Sequence, residues 1–300
     1  MPTWNIRLLE TIEEMQQVEE LQRLVWPGSD LDVTPAHVLV TFAHNGGLVF
    51  GAYADEKMVG LLFGFPGLYE VPDGPHPKHC SHQMGIHPDY RNTGIGFALK
   101  RAQWQMVRRQ GLGRITWTYD PLLSTNAHLN IARLGAVCNT YLREVYGQMR
   151  DGLNLGLPSD RFQVDWWVNT IRVKQRLSSR PRQVLNLAHY HEANTCKLYD
   201  VSLAESLDAP GPLVEPPEHF NIPDEALLLA EIPPDYLGLK SVDFELARAW
   251  RSFTRELFES CFKAGYLVTD FIHDTSGSRP RSLYVLTHGE SLLGDLTVDK

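Results

Sequence analysis

The sequence predicts an α+β protein in two parts: a mixed, mostly antiparallel sheet flanked by helices, followed by a smaller β-α-β extension. Three observations predict it. Apolar periodicity runs strand, helix, helix, strand, strand and then strand, helix, strand, helix as far as Gly135. A glycine-bearing turn joins a strand ending at Ile86 to a helix opening at Gly94. In the last quarter a long amphipathic helix lies among strand-like runs.

Trp4, Ile6 and Leu8 alternate as in a strand, and Thr11-Ile-Glu-Glu14 is a capping box that opens a helix through Met15, Val18, Leu21 and Val25. Pro27-Gly28 ends that helix, and a second short one begins near Pro35. Leu48 to Ala54 and Met58 to Phe65 read as a hairpin turning at Asp55-Glu56-Lys57. Proline and glycine crowd Pro66 to Pro77, which predicts a loop. Cys80 to Ile86 resumes as a strand that Pro88 breaks. A helix over Gly94 to Gln110, a strand over Ile115 to Tyr119 and a helix over Thr125 to Leu134 follow, with a further strand at Phe162 to Val168.

The basic segment Arg172 to Arg182 reads as the exit from the first part, and Pro210-Gly-Pro212 as loop. Domain 4–170, a linker and irregular segment 171–225 and an extension 226–300 are the expected divisions. Within the extension, strands at Ala226 to Ile232, Leu267 to Ile272 and Ser282 to Leu286 surround a helix from Val242 to Ala264. Leu246, Trp250, Phe253, Leu257 and Cys261 share one face of that helix. Ile232-Pro-Pro-Asp-Tyr236 echoes Ile86-His-Pro-Asp-Tyr90, so the extension is a candidate decayed repeat of the first part.

A net charge of -8 argues against a partner held by phosphate neutralisation, so nucleic acid is not expected. Four cysteines without a Cys-x-x-Cys pair, no apolar leader and no apolar run long enough to span a bilayer lead to the expectation of a cytoplasmic protein without a membrane partner.

Arg91-x-x-Gly94-x-Gly96 carries the chemistry. Gly94 and Gly96 let backbone approach a ligand, and the free N–H groups of a helix's first turn attract an anion. Arg91 adds a charged fork for phosphate oxygens. A Walker A loop would need a Gly-Lys-Ser/Thr ending and a dinucleotide fingerprint a glycine at Leu99, so neither fits.

Ile86-x-Pro88-x-x-Arg91-x-x-Gly94-x-Gly96 resembles the acyl-CoA-binding motif of the GNAT superfamily of N-acyltransferases, and the likeness covers about residues 4 to 168. The run Tyr119-Asp-Pro, Asn126-Ala, Asn130, Leu134-Gly135-Ala and Gly156 to Arg161 is similar to a group of long members. The resemblance implies a GNAT-type sheet, with acetyl-CoA or another acyl-CoA as co-substrate, and makes the extension a candidate degenerate half-GNAT. It implies that Arg91, Asn92, Thr93, Gly94, Ile95 and Gly96 cradle the pyrophosphate. Met84, Gly85 and Ile86 would line the pantetheine arm, and the strand after the helix would splay away. Many members place a tyrosine general acid where Ile131 stands in this chain.

His82, two residues before Met84 and so on the same side of a regular strand, is the first candidate base. Asp120 is a candidate to bind the substrate ammonium, and Tyr119 or Tyr141 to supply a proton. For each, a structural role is the competing account. His76-x-x-His79-Cys80-x-His82 holds imidazole and thiolate groups, but no second ligand pair completes a zinc site, so no metal is expected. The expected function is transfer of an acetyl or larger acyl group, such as succinyl, from CoA to the amine of a small molecule. The alternative is a non-catalytic acyl-CoA-binding or regulatory module. A homo-oligomer formed through the extension is a further possibility.

Overall fold

The computed structural model describes residues 4–28, 30–147, 155–178, 185–204 and 213–288. The turn at 210–212, the end of the basic segment and the extension beyond His288 lie outside them. The described residues form an α+β protein that divides into two compact units, one of those among 1–117, 150–155 and 167–169, the other of the rest.

In the first unit β1 (Trp4–Leu8), β2 (Leu48–Ala54), β3 (Lys57–Val71) and β4 (Gly74–Ile86) pair antiparallel in that order, and β5 (Arg114–Tyr119) joins β4 in parallel. The capping box at Thr11 forms as expected and opens α1 (Ile12–Val25). Pro35 precedes α2 (Ala36–His44). These two helices pack on one sheet face, where Met15, Val18, Leu39, Leu61 and Phe63 share a core. The opposite face carries α3 (Ile95–Arg109): a Cβ added at Gly60 would meet Ile95 and Ile86 there, whereas one at Gly85 would meet Trp26 on the α1 side.

The expected loop at Pro66 to Pro77 is instead a continuation of the β3–β4 hairpin, with Leu68 opposite Pro77 and Glu70 opposite Pro75. β5 is paired with β4 only at His79 and Cys80, so the prolines of β4 lie on an edge that needs no donor. A second departure lies higher in β4. Phe63 pairs with Gln83 but Gly64 with Ser81, which leaves His82 as the extra residue of a β-bulge.

The second unit begins with a helical segment, α4 (Ser124–Ala127), that widens into a π-turn over His128–Arg133 in place of the plain helix expected. Its main sheet runs β7 (Arg161–Trp167), β6 (Val137–Leu142), β12 (Leu267–Asp274), β13 (Arg281–Thr287), β11 (Leu227–Ile232) and β8 (Cys196–Lys197). β9 (Ser202–Ala204) and β10 (Leu213–Glu215) form a separate ribbon. The short helices α5 (Ile171–Arg176), α6 (Leu187–Glu192) and α7 (Tyr236–Val242) accompany the long α8 (Phe244–Lys263), whose Trp250, Leu257, Phe258 and Cys261 are buried as the periodicity requires. The two strands flanking α8 differ from β4 and β5 in one respect. β13 lies between β11 and β12 and pairs antiparallel with both, so they never meet.

Candidate functional site

The first unit presents an open fork. β4 and β5 are in register at His79–Ile115 and Cys80–Thr116, and beyond those pairs the described residues give β4 no partner on its β5 side. The direction of the backbone groups along β4 follows from one hydrogen bond. His87 N donates to Val59 O at 2.9 Å, so by antiparallel alternation Gly85 and Gln83 also face β3. Met84 and Ile86 therefore turn their N–H and C=O groups into the fork.

At the open end of the fork the chain makes a short 3₁₀ turn at Pro88–Tyr90 and enters α3. Asn92 and Gly94 both take positive φ, 63° and 90°. Gly94 is the N-cap and no side chain caps the helix. A Cβ at Gly94 would meet nothing within 4 Å. Arg91, Asn92, Thr93 and Gly94 are all exposed, Ile95 is buried and Gly96 lies between. Among the described residues the Arg91 guanidinium has no carboxylate in ion-pair range. An uncapped helix start and exposed backbone at Gly94 thus stand three residues from an exposed cation, a set of groups that suits a diphosphate.

The bulge corrects one expectation. In a regular strand His82 and Met84 would share a face, but the extra residue reverses the alternation. Ile86 faces α3, and Met84 with it. The His82 ring instead lies 5.6 Å from that of Phe63 and 6.1 Å from that of Phe65, on the α1–α2 face. His82 is exposed, yet loss of water beside these rings lowers its pKa, so the ring is neutral at pH 7.

On the α3 face lies a buried polar cluster that the sequence reading missed. Lys100 Nζ donates to Ser81 Oγ at 2.8 Å and to Gln103 Oε1 at 3.2 Å, and it sits 3.8 Å from the centroid of the Trp117 ring. Gln103 Nε2 in turn lies 3.1 Å from His79 Nε2, which must accept, leaving a buried His79 Nδ1 without a partner. Burial and the Lys100 charge push His79 down to about 3, and burial alone pushes Lys100 down to about 7. A signal existed: Lys100 adjoins Leu99 on the stripe Ile95, Leu99, Gln103 and Val107, which is buried throughout.

Among the described residues no group of His, Cys, Asp and Glu gathers as a metal site. His76 lies 3.2 Å from Asp73 toward the hairpin tip, while His79 is fully buried.

The expected Tyr119 and Asp120 fall in the second unit. Tyr119 is buried with its hydroxyl 3.2 Å from that of Tyr284, which donates to Pro121 O at 2.7 Å. Burial raises the Tyr119 pKa far above the phenolic range. Asp120 accepts two hydrogen bonds from Arg251 and one from Leu122 N. Tyr141 donates to Asp160, and Ile131 is fully buried in the π-turn.

Residues 13–135 match the model of the acetyltransferase (GNAT) family. That stretch is a GNAT domain. A search of curated proteins found no match to the sequence. Solved structures similar to the chain include a putative GNAT acetyltransferase from Desulfovibrio desulfuricans, 16% identical, covering 55% of this chain and 99% of its own at a TM-score of 0.43. The ribosomal-protein-S18-alanine N-acetyltransferase of Escherichia coli is 18% identical, over 55% of this chain and 94% of its own, at 0.40. An aminoglycoside acetyltransferase from an uncultured soil metagenomic sample is 20% identical, over 39% and 78%, at 0.35. The GNAT motif expected from Ile86 to Gly96 lies inside the matched stretch.

Proposed function

We propose that the chain is an N-acyltransferase that moves an acetyl group, or a larger acyl such as succinyl, from CoA to the amine of a small molecule. One observation carries the reading: an uncapped, exposed helix start stands at the mouth of a fork into which Met84 and Ile86 direct their backbone groups. In this reading Arg91, Asn92, Thr93, Gly94, Ile95 and Gly96 hold the pyrophosphate. Met84 and Ile86 line the pantetheine arm, with Gly85 between them turned toward β3, and acetyl-CoA is the co-substrate that supplies the acyl group when bound. By sequence, the stretch taken as the acyltransferase domain is 4–170, and 226–300 is taken as its extension.

His82, neutral and exposed at the bulge, takes the proton of the incoming amine. Tyr119 and Asp120 act as positioning residues at the end of β5, since both polar ends are already engaged. The net charge of -8 favours a small cationic amine over nucleic acid, with the cytoplasm as its setting.

Ile131, buried where many GNAT enzymes have a tyrosine, favours a second reading, a CoA-binding module without turnover. Thiol release from acetyl-CoA and succinyl-CoA across a panel of amines separates the two. Release that falls by about a hundredfold or more in His82→Ala is expected. Tight CoA binding with no release from any amine would favour the module.

A further inference from the structure

Lys100 is 2% exposed and has no anionic partner among the described residues. Its ammonium faces a hydroxyl, an amide oxygen and an aromatic ring. Among the described residues the titratable side chain beside it is His79, which burial and Lys100 itself keep neutral. A buried cation without a counter-charge is costly, and an apolar residue would fill the same stripe of α3 without that cost. The location gives the lysine a use. Ser81 and Trp117 follow directly after the last paired residues of β4 and β5, Cys80 and Thr116, so Nζ lies at the vertex of the fork. Ser81 and His82 are neighbours at the bulge and point to opposite faces, the hydroxyl toward Lys100 and the imidazole toward Phe63.

We propose that Lys100 is the proton donor to the departing thiolate, acting from the α3 face of the fork while His82 serves the amine from the other. The inference rests on the acyltransferase reading. As the amine nitrogen bonds to the acyl carbon and the carbon–sulfur bond breaks, the amine's proton goes to His82 and a Lys100 Nζ proton goes to sulfur. His82 then releases a proton to water and Lys100 regains one, so the protein is unchanged over the cycle. With its ionisation near pH 7, Lys100 both gives and recovers that proton readily.

The test uses Lys100→Met, close in length and apolar, and Lys100→Arg, which keeps the charge but does not release a proton. Thermal melts and calorimetry with CoA establish that each variant folds and binds. Two readouts follow: kcat against pH at saturating acetyl-CoA, and the midpoint of thiolate formation by bound CoA, followed by ultraviolet absorbance. The expected result is a loss in kcat of about a hundredfold or more in Lys100→Met, no recovery in Lys100→Arg, and loss of the alkaline descending limb in both. Bound CoA should ionise at higher pH in the Met variant than in the wild type. The same midpoint in both, or an acyl adduct on Lys100 in the intact mass of the wild type, would overturn the proposal. A wild type that binds CoA but transfers nothing would overturn the acyltransferase reading, and the thiol titration would still decide the role of Lys100.

Discussion

Asp120 and Arg251 meet in a buried two-pronged ion pair, Nη1 donating to Oδ1 at 2.9 Å and Nη2 to Oδ2 at 2.5 Å. With 8% and 2% of their surfaces exposed, each is the other's main source of charge compensation. Asp120→Ala should therefore strand a guanidinium inside the second unit and cost about 3 to 5 kcal/mol, seen as a lower denaturant midpoint. The double variant Asp120→Ala/Arg251→Met should regain most of that stability. If Asp120 only positions its surroundings, the double variant keeps its KM for the amine. A folded double variant with a strongly raised KM would instead place the carboxylate on the substrate.

Two glycines separate packing from conformation. A Cβ at Gly64 would lie 2.4 Å from the Cys80 carbonyl oxygen and 2.5 Å from His79 Nε2, so Gly64→Ala must push the bulged strand aside. A loss of about 1 to 3 kcal/mol is expected by denaturant titration. Gly94→Ala meets nothing, but its φ of +90° strains any residue with a side chain. It should cost about 1 kcal/mol by denaturant titration and, measured by calorimetry, weaken CoA binding more than that.

The buried lysine makes stability depend on pH in a window that can be stated in advance. In the unfolded chain Lys100 binds its proton below about 10.5, in the folded protein only below about 7. Between these values the unfolded state holds more protons, so the Lys100 contribution to stability rises as pH rises from 7 to 10.5 and is flat below 7. Unfolding titrations of wild type and Lys100→Met at neutral and alkaline pH isolate it. The Met variant should be the more stable at pH 7, with the difference shrinking toward pH 10. A constant difference would mean that Lys100 is not neutralised by folding.

Most of the first unit was legible because its signals are local. The Thr11 capping box, the alternation at Trp4 to Leu8 and the glycine turn before α3 each act within a few residues. Features set by non-local pairing were not legible. Pro75 and Pro77 read as loop because only the pairing of β5 reveals that their edge is free. The bulge at His82 carries no glycine or proline marker, so the reversal of faces was hidden, and with it the opposed placement of His82 and Ser81. Lys100 reads as one more basic residue until Ser81 and Trp117 close around it. The echo at Ile232 to Tyr236 did find a strand–helix–strand unit, but β13 occupies the place where a fork would open.

If the exposed start of α3 and the fork behind it receive an acyl-CoA, the free coenzyme must bind the protein. Isothermal titration of the full chain with CoA and acetyl-CoA measures that binding, with Arg91→Ala as the companion. A single saturable heat in the wild type, weakened about tenfold when the guanidinium is removed, is the predicted result. No heat from either compound would contradict it.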